Sequence, residues 1–215
     1  MKHYFKKIFF LIVITKSFSS LCYANSIEIY TGVAINAKEK VKINHPNGDI
    51  SFKSRPSTKP FTTPPYYGIR LLKTLNDDFS IGIDFLHHKT YFEDNLPSSV
   101  KRFEVTDGYN YLLLVGRYKL GFFKDTYLHF GGGVVLPHID AVVYDEKTYD
   151  SSRYPVDGYG LKLGIQKKFF VADKHSFFIE TDFLYSKVSS TKLFRGDASF
   201  GNKSIHFTIG YAFGK

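Results

Sequence analysis

Residues 79–92 read FSIGIDFLHHKTYF. Alternate positions Phe79, Ile81, Ile83 and Phe85 form one apolar face of a strand with a period of two. The same face then carries His87, Lys89 and Tyr91. A soluble core does not end in an imidazole and an ammonium, because a buried charge without a partner is costly. A bilayer asks for this order, with hydrocarbon first and polar headgroups after it. The stretch therefore reads as a strand whose apolar face meets lipid and whose opposite face looks into a protein interior.

The same alternation recurs along the chain. SIEIYTGVAIN at 26–36 sets Ile27, Ile29, Val33 and Ile35 against Glu28, Tyr30, Gly32, Ala34 and Asn36. Further segments lie at 66–72, 79–91, 109–120, 126–138, 158–169, 176–187 and 204–213. Eight such segments, several about 9 to 11 residues long, match strands tilted across a bilayer. The connections sort by length. Short turns lie at 73–78, 121–125 and 171–175, and long polar loops are expected at 37–64, 92–105, 139–156 and 188–203. Periplasmic turns and longer extracellular loops give outer-membrane barrels this asymmetry. The expectation is an all-β fold, an eight-stranded antiparallel transmembrane β-barrel in the outer membrane of a Gram-negative bacterium.

The final segment, SIHFTIGYAF, points Ile205, Phe207, Ile209, Tyr211 and Phe213 one way and His206, Thr208, Gly210 and Ala212 the other. It resembles the terminal aromatic strand that barrel-insertion machinery reads, with Gly214 and Lys215 added after the last Phe. As the edge of a soluble sandwich it would invite aggregation.

Residues 1–24 read as a secretory signal: basic MKHYFKK, apolar IFFLIVI, then LCYA with small residues at Cys22 and Ala24. Cleavage after Ala24 leaves a barrel domain at 25–215. Leu21 before Cys22 is a poor fit to a lipoprotein signal. Removing Lys2, Lys6, Lys7 and Lys16 from 29 basic residues leaves 25 against 20 acidic ones, a net +5, with no thiol. Nucleic acid is thus not an expected partner, and no disulfide stabilises the mature chain. About 190 residues suit one closed, monomeric barrel.

The face opposite lipid carries Glu28, Arg70, Asp84, Lys162, Glu180, Asp182, His206 and His129, with glycines beside them. Eight strands leave room for side chains and not for an aqueous pore. Core packing through ion pairs is the plain reading; a proton relay or gate is the rival.

At the extracellular rim, His87 and Lys89 close one strand, His138 closes another, and VTDGYN brings Asp107 and Asn110 between them. A bulge near Gly108 or a kink at Pro137 would re-aim these groups. Tyr91, Tyr109 and Tyr111 suit an interfacial aromatic girdle. Lys89 either snorkels to water as an ordinary rim residue or meets a phosphate of lipid A. The segment YNYLLLVGRY is apolar on both faces, so its register is open.

PPYYGIRL, GIDFLHHK, VTDGYN and GGGVVLPHID, in this order, resemble the outer-membrane β-barrel group that includes lipid A oxidase. The likeness runs from about Pro64 to Phe213. It implies lipid A as partner and, if activity follows, oxygen-dependent oxidation of its proximal glucosamine to an aminogluconate. The matching polar residues are His87, Lys89, Asp107, Asn110 and His138. Catalytic roles then fall to His87, Asp107 and His138, and substrate contacts to Lys89 (phosphate) and Asn110. The cofactor is open; two histidines and a carboxylate suit a divalent non-haem iron site. Glu180 matches too, on the lumen side. His88 beside His87 leaves strand geometry to decide which imidazole is on the rim.

The rival readings are a non-enzymatic structural barrel and an adhesin. An adhesin would use the basic, Pro-rich loop at 38–65. A serine nucleophile has weak support: His175 and Ser176 lie at a periplasmic turn, and Ser204 and His206 face inward.

Overall fold

Because every strand alternates, closing the sheet on itself buries one face completely and leaves the other outside. Our computed structural model describes residues 24–149 and 155–214, without the side chains of Asp107 and Tyr149. The expected signal segment up to Tyr23, and 150–154 in the third long connection, lie outside these residues.

Twelve strands form one antiparallel sheet: β1 (Ser26–Asn36), β2 (Glu39–Asn44), β3 (Ile50–Ser54), β4 (Tyr67–Thr74), β5 (Phe79–Tyr91), β6 (Val100–Lys119), β7 (Thr126–Pro137), β8 (Asp140–Val143), β9 (Glu146–Tyr149), β10 (Gly158–Ala172), β11 (His175–Lys192) and β12 (Asp197–Gly214). Eight of them close a ring in the order β1-β4-β5-β6-β7-β10-β11-β12, with β12 pairing back onto β1. The first and last strands join along their full length, from Ser26 opposite Gly214 to Asn36 opposite Ser204. Closure removes the open edge that the aromatic last strand would otherwise present.

The outer surface is apolar at every second residue. Ile29, Leu114, Leu163, Ile179 and Ile209 are each more than half exposed. No water-soluble monomer leaves so continuous an apolar belt uncovered; a bilayer covers it. One end of the ring has short turns together with the chain's first and last described residues, and the other carries the hairpins. The latter is the extracellular end of an outer-membrane barrel.

The long connections differ from the expected polar loops. Hairpin β2–β3 docks on the start of β12, and hairpin β8–β9 on the start of β6. Strands β11 and β12 continue past the belt until only 193–196 turn. Val41, Ile43, Phe52, Phe103, Val105 and Phe200 alternate along these extensions and join the buried apolar cluster that continues down to Tyr109 and Tyr111 in the lumen. Alternation that continues above the membrane builds a folded cap.

Inside the belt the lumen is filled in two layers. The lower one is a charge lattice around Arg70. Its guanidinium donates to Glu28 (2.9 Å), to both oxygens of Glu180 (2.8 and 2.6 Å) and to Asp84 (3.2 Å). Lys162 bonds Asp84 and Glu180 and pairs with Asp182 at 3.0 Å. Arg117 and Lys168 close on Glu28, each at 2.7 Å, and Tyr30 donates to Asp84 at 2.6 Å. Four cations thus face four carboxylates, which is the condition for burying any of them. Gly164 makes room: a Cβ there would lie 1.9 Å from Oδ1 of Asp182.

The upper layer is aromatic. Tyr109 and Tyr111 stack at 5.9 Å and are fully buried, with Phe92, Phe103 and Phe200 above them. This corrects the girdle expected of Tyr109 and Tyr111. Asn110 shares the outward phase of Leu112 and Leu114, so its two neighbours point inward. Tyr91 is likewise buried, behind residues of the β3–β4 connection.

Candidate functional site

The outward residues of β4 to β7 stack in cross-strand rungs. The lower rungs are apolar: Leu71, Ile83, Leu114 and Gly132, then Ile69, Phe85, Leu112 and Val134. The next rung up is Tyr67, His87, Asn110 and Leu136. Polar groups therefore replace hydrocarbon at one height, where the belt ends. A groove of about 450 Å³ opens outward here, lined by Pro64, Tyr67, Phe85, His87, Asn110, Leu112 and Leu136.

The polar members of the groove are tightly held. Tyr67 stacks on the His87 ring with centroids 5.1 Å apart. Asn110 donates to the carbonyls of Gly108 (3.2 Å) and Leu136 (3.3 Å), which leaves its Oδ1 as the acceptor for His87 Nδ1 at 2.9 Å. That bond puts a ring proton on Nδ1. Above the ring the β5–β6 ladder bulges: His88 pairs with Tyr109, and Thr90 with Val105. Gly108 takes φ +99° in this bulge, and a Cβ there would lie 2.4 Å from the imidazole. Glycine is required on both counts.

Lys89 turns to the chain. Its ammonium donates to Thr62 O (3.1 Å), Thr62 Oγ1 (3.0 Å) and Thr63 O (3.1 Å), next to the Pro64 that borders the groove. Three oxygens match its three donors, so the lysine positions the groove's upper lip. His138 is buried, and its backbone N–H donates to Gly108 O at 3.2 Å. It lines a separate cleft with Pro137, Ile139, Thr148, Pro155, Asp157, Thr191 and Lys192. The structure thus joins His87 to Asn110, seats Lys89 on the lip and sends His138 to a neighbouring cleft. The Asp107 side chain lies outside the described residues.

A metal needs converging donors. Among the described residues no three His, Cys, Asp or Glu side chains come together.

His88 resolves the question raised by the paired histidines. It faces inward, 4.9 Å from the ring of His206. Ser204 Oγ lies 2.7 Å from His206 Nε2, and Tyr66 Oη lies 2.7 Å from its Nδ1. The arrangement has the order of a nucleophile, base and orienting group, but all three are buried in the lumen. Burial keeps the cluster off the lipid-facing surface.

Sequence reading did not single out Tyr67, although its outward phase with Ile69 and Leu71 marked it. It also passed over Arg117 and Lys168, whose strands lacked a clear alternation at those points.

No family model matches this chain, and no curated protein matches it. Among solved structures it is similar to barrels of bacterial outer membranes. Ail, the attachment invasion locus protein of Yersinia pestis, is 12% identical, with 88% of this chain and 99% of that one covered and a TM-score of 0.45. The outer membrane protein OprG from Pseudomonas aeruginosa is 12% identical over 89% of this chain and 96% of its own, TM-score 0.45. The outer membrane protease OmpT from Escherichia coli is 10% identical over 88% and 96%, TM-score 0.42.

Proposed function

We propose that the barrel engages lipid A through the outward groove between β4 and β7. The supporting observation is the rung of Tyr67, His87 and Asn110 at the upper edge of the lipid belt, opening into a groove of about 450 Å³. Lipid A is the glycolipid whose sugars lie at that height in the outer leaflet. An aromatic face and polar side chains at one height suit a sugar, and Phe85, Leu112 and Leu136 suit the first carbons of an acyl chain. His87 and Asn110 are the contact residues in this reading, and Lys89 shapes the lip.

Oxidation of the proximal glucosamine is the finer reading, and it rests on the motif resemblance alone. A folded cap, raised above the membrane on hairpins β2–β3 and β8–β9, favours a second reading in which surface attachment is the role.

One experiment separates the three. Lipid A is isolated from an aerated host lacking lipid A-modifying enzymes, with the protein or its His87→Ala variant folded in the outer membrane. Mass spectrometry is run on total lipid A and on lipid A that co-purifies with the barrel. A gain of one oxygen that disappears in the variant establishes the oxidase. Unmodified lipid A that co-purifies with the native chain, and at least tenfold less with the variant, establishes binding without chemistry, since losing one stacked and hydrogen-bonded group costs over about 1.4 kcal/mol. Equal co-purification sinks the groove reading and moves attention to the cap.

A further inference from the structure

The opposite side of the ring carries a second opening, built by a break in strand pairing. Hairpin β2–β3 pairs with β12 as far as Lys42 opposite Ser199. The next backbone bond is from Ala37 N to Lys203 O, at 2.7 Å. Residues 38–41 of one strand therefore span the same interval as 200–202 of the other. The extra residue pushes β2 outward. At the floor of the gap Gly201 shows no side chain to the outside, and a Cβ there would meet Ser186 O at 2.9 Å and Glu39 at 3.4 Å.

The result is a cleft of about 430 Å³ whose charged walls are Lys40, Lys42, Lys187, Lys203 and Glu39. Lys203 pairs with Glu39 at 3.6 Å. Among the described residues Lys40, Lys42 and Lys187 have no carboxylate at ion-pair distance. Lys40 also stands directly across the hairpin from Lys53. Like charges in that position destabilise a hairpin unless an anion lies between or beside them.

Depth identifies the anion. The outward residues of β12 run Phe213, Tyr211, Ile209, Phe207 and Ile205, and the next is Lys203. On β11 they run Phe177, Ile179, Thr181 and Phe183, then Tyr185 and Lys187. Tyr185 meets Tyr159 of β10 with ring centroids 6.2 Å apart, an aromatic pair at the belt's upper edge. From Phe213 to Ile205 a strand rising about 3.3 Å per residue, tilted about 40°, climbs roughly 20 Å, most of an apolar band. The lysines begin at the next outward position, where headgroup phosphates lie.

We propose that this cleft binds the phosphate of an outer-leaflet phosphoglycolipid, clamping one lipid headgroup against β11, β12 and the β2–β3 hairpin. The site is distinct from the His87 groove and independent of it. Four lysines less the Glu39 carboxylate leave three net charges, each contributing on the order of 1 kcal/mol near a charged surface, which corresponds to roughly a hundredfold in affinity.

The test uses the full barrel in nanodiscs doped with bisphosphorylated lipid A, with fully dephosphorylated lipid A, or with neither. The number of lipids retained on mild detergent extraction is read by native mass spectrometry. With every protein carrying His87→Ala, so that the groove holds no lipid, we expect one phosphorylated lipid retained when the lysines are intact, roughly a hundredfold weaker retention by Lys40→Gln/Lys42→Gln/Lys187→Gln/Lys203→Gln, and no retention of the dephosphorylated form. Lys187→Gln/Lys203→Gln, which spares the hairpin, should lose an intermediate amount if the quadruple variant does not insert. Equal retention by either variant, or of dephosphorylated lipid, overturns the proposal. So does displacement of the lipid by millimolar inorganic polyphosphate at constant ionic strength, which would assign the cleft to soluble polyanions.

Discussion

Arg70 shows how one side chain can hold a lumen together. It touches three carboxylates from three strands, Glu28 on β1, Asp84 on β5 and Glu180 on β11. Replacing it with Met leaves the four lumen carboxylates, Glu28, Asp84, Glu180 and Asp182, with Lys162, Arg117 and Lys168 only, a deficit of one cation in a dry interior. Arg70→Met is expected to lose roughly 3–5 kcal/mol, the cost of breaking a buried ion-pair network at one partner. Urea unfolding of the refolded barrel, followed by its heat-modifiable gel band, measures this. Arg70→Lys should recover part of the loss, because an ammonium keeps the charge but cannot form the bidentate pair with Glu180. At the rim the corresponding residue is Gly108. Gly108→Ala should push the His87 ring out of its stack with Tyr67 while the barrel still inserts, because the bulge lies above the belt. A shifted His87 ring resonance with a loss of about 1–3 kcal/mol from the strained backbone would mark that outcome; an unchanged resonance would show that the close approach is not needed.

Among elements, the stretch that matters most to the candidate site is the β3–β4 connection. Residues 55–66 pass over the top of β5 and are tied by Lys89 to Thr62 and Thr63, by the Ser57–Tyr91 bridge and by the exposed pair Lys59–Glu93. Lys89→Met should release the strap, raising protease cleavage within 57–64 several-fold without moving the unfolding midpoint. Glu93 is held below its usual carboxylate range by hydrogen bonds from Lys59 and Ser57, and Lys59 is raised by the same bond. The depressed acid stabilises the strap at pH above its unfolded value and loses that effect as pH falls through its folded one. The raised base acts below its own unfolded value and fades as pH rises through its folded one. Strap protection, read by hydrogen exchange, should therefore form a plateau at neutral pH and drop at acid pH, with a modest amplitude because the pair is exposed. This element also marks the boundary of what sequence reveals. The period-two pattern of β1, β5, β10, β11 and β12 was legible because lipid and lumen impose opposite chemistry on alternate residues. So was the lumen acid set, Glu28, Asp84, Glu180 and Asp182. Lys89 was legible only as a rim residue, since its partner lies 26 and 27 positions upstream in a segment without periodicity. Tyr109 and Tyr111 were misplaced because Tyr109 to Val115 offers apolar residues to both faces. Only the pairing of Asn110 with His87 fixes which side is out.

At the scale of the whole molecule, one belt sets where every polar feature can stand. Both openings lie where it ends, the His87 groove on the β4–β7 side and the lysine cleft on the β2, β11 and β12 side. Each begins at the first outward position beyond the last large apolar side chain: His87 after Phe85, Lys203 after Ile205. If the belt is what fixes these heights, the energetic penalty for a charge must fall to nothing at the same level on both sides. Arginine placed outward at the belt's middle, Leu163→Arg on β10, should destabilise the barrel by roughly 2–4 kcal/mol. The same residue at the upper edge, Tyr185→Arg on β11 beside the lysine cleft or Tyr67→Arg on β4 beside the groove, should cost only about 0–1 kcal/mol. Unfolding titrations in vesicles of matched hydrocarbon thickness give the three values directly. Equal costs at Tyr185 and Tyr67, both well below that at Leu163, place the two openings in one plane of the outer leaflet, within reach of neighbouring lipid headgroups. A large cost at Tyr67 alone would tilt the barrel axis and sink the groove below the headgroups, where a sugar could not reach His87.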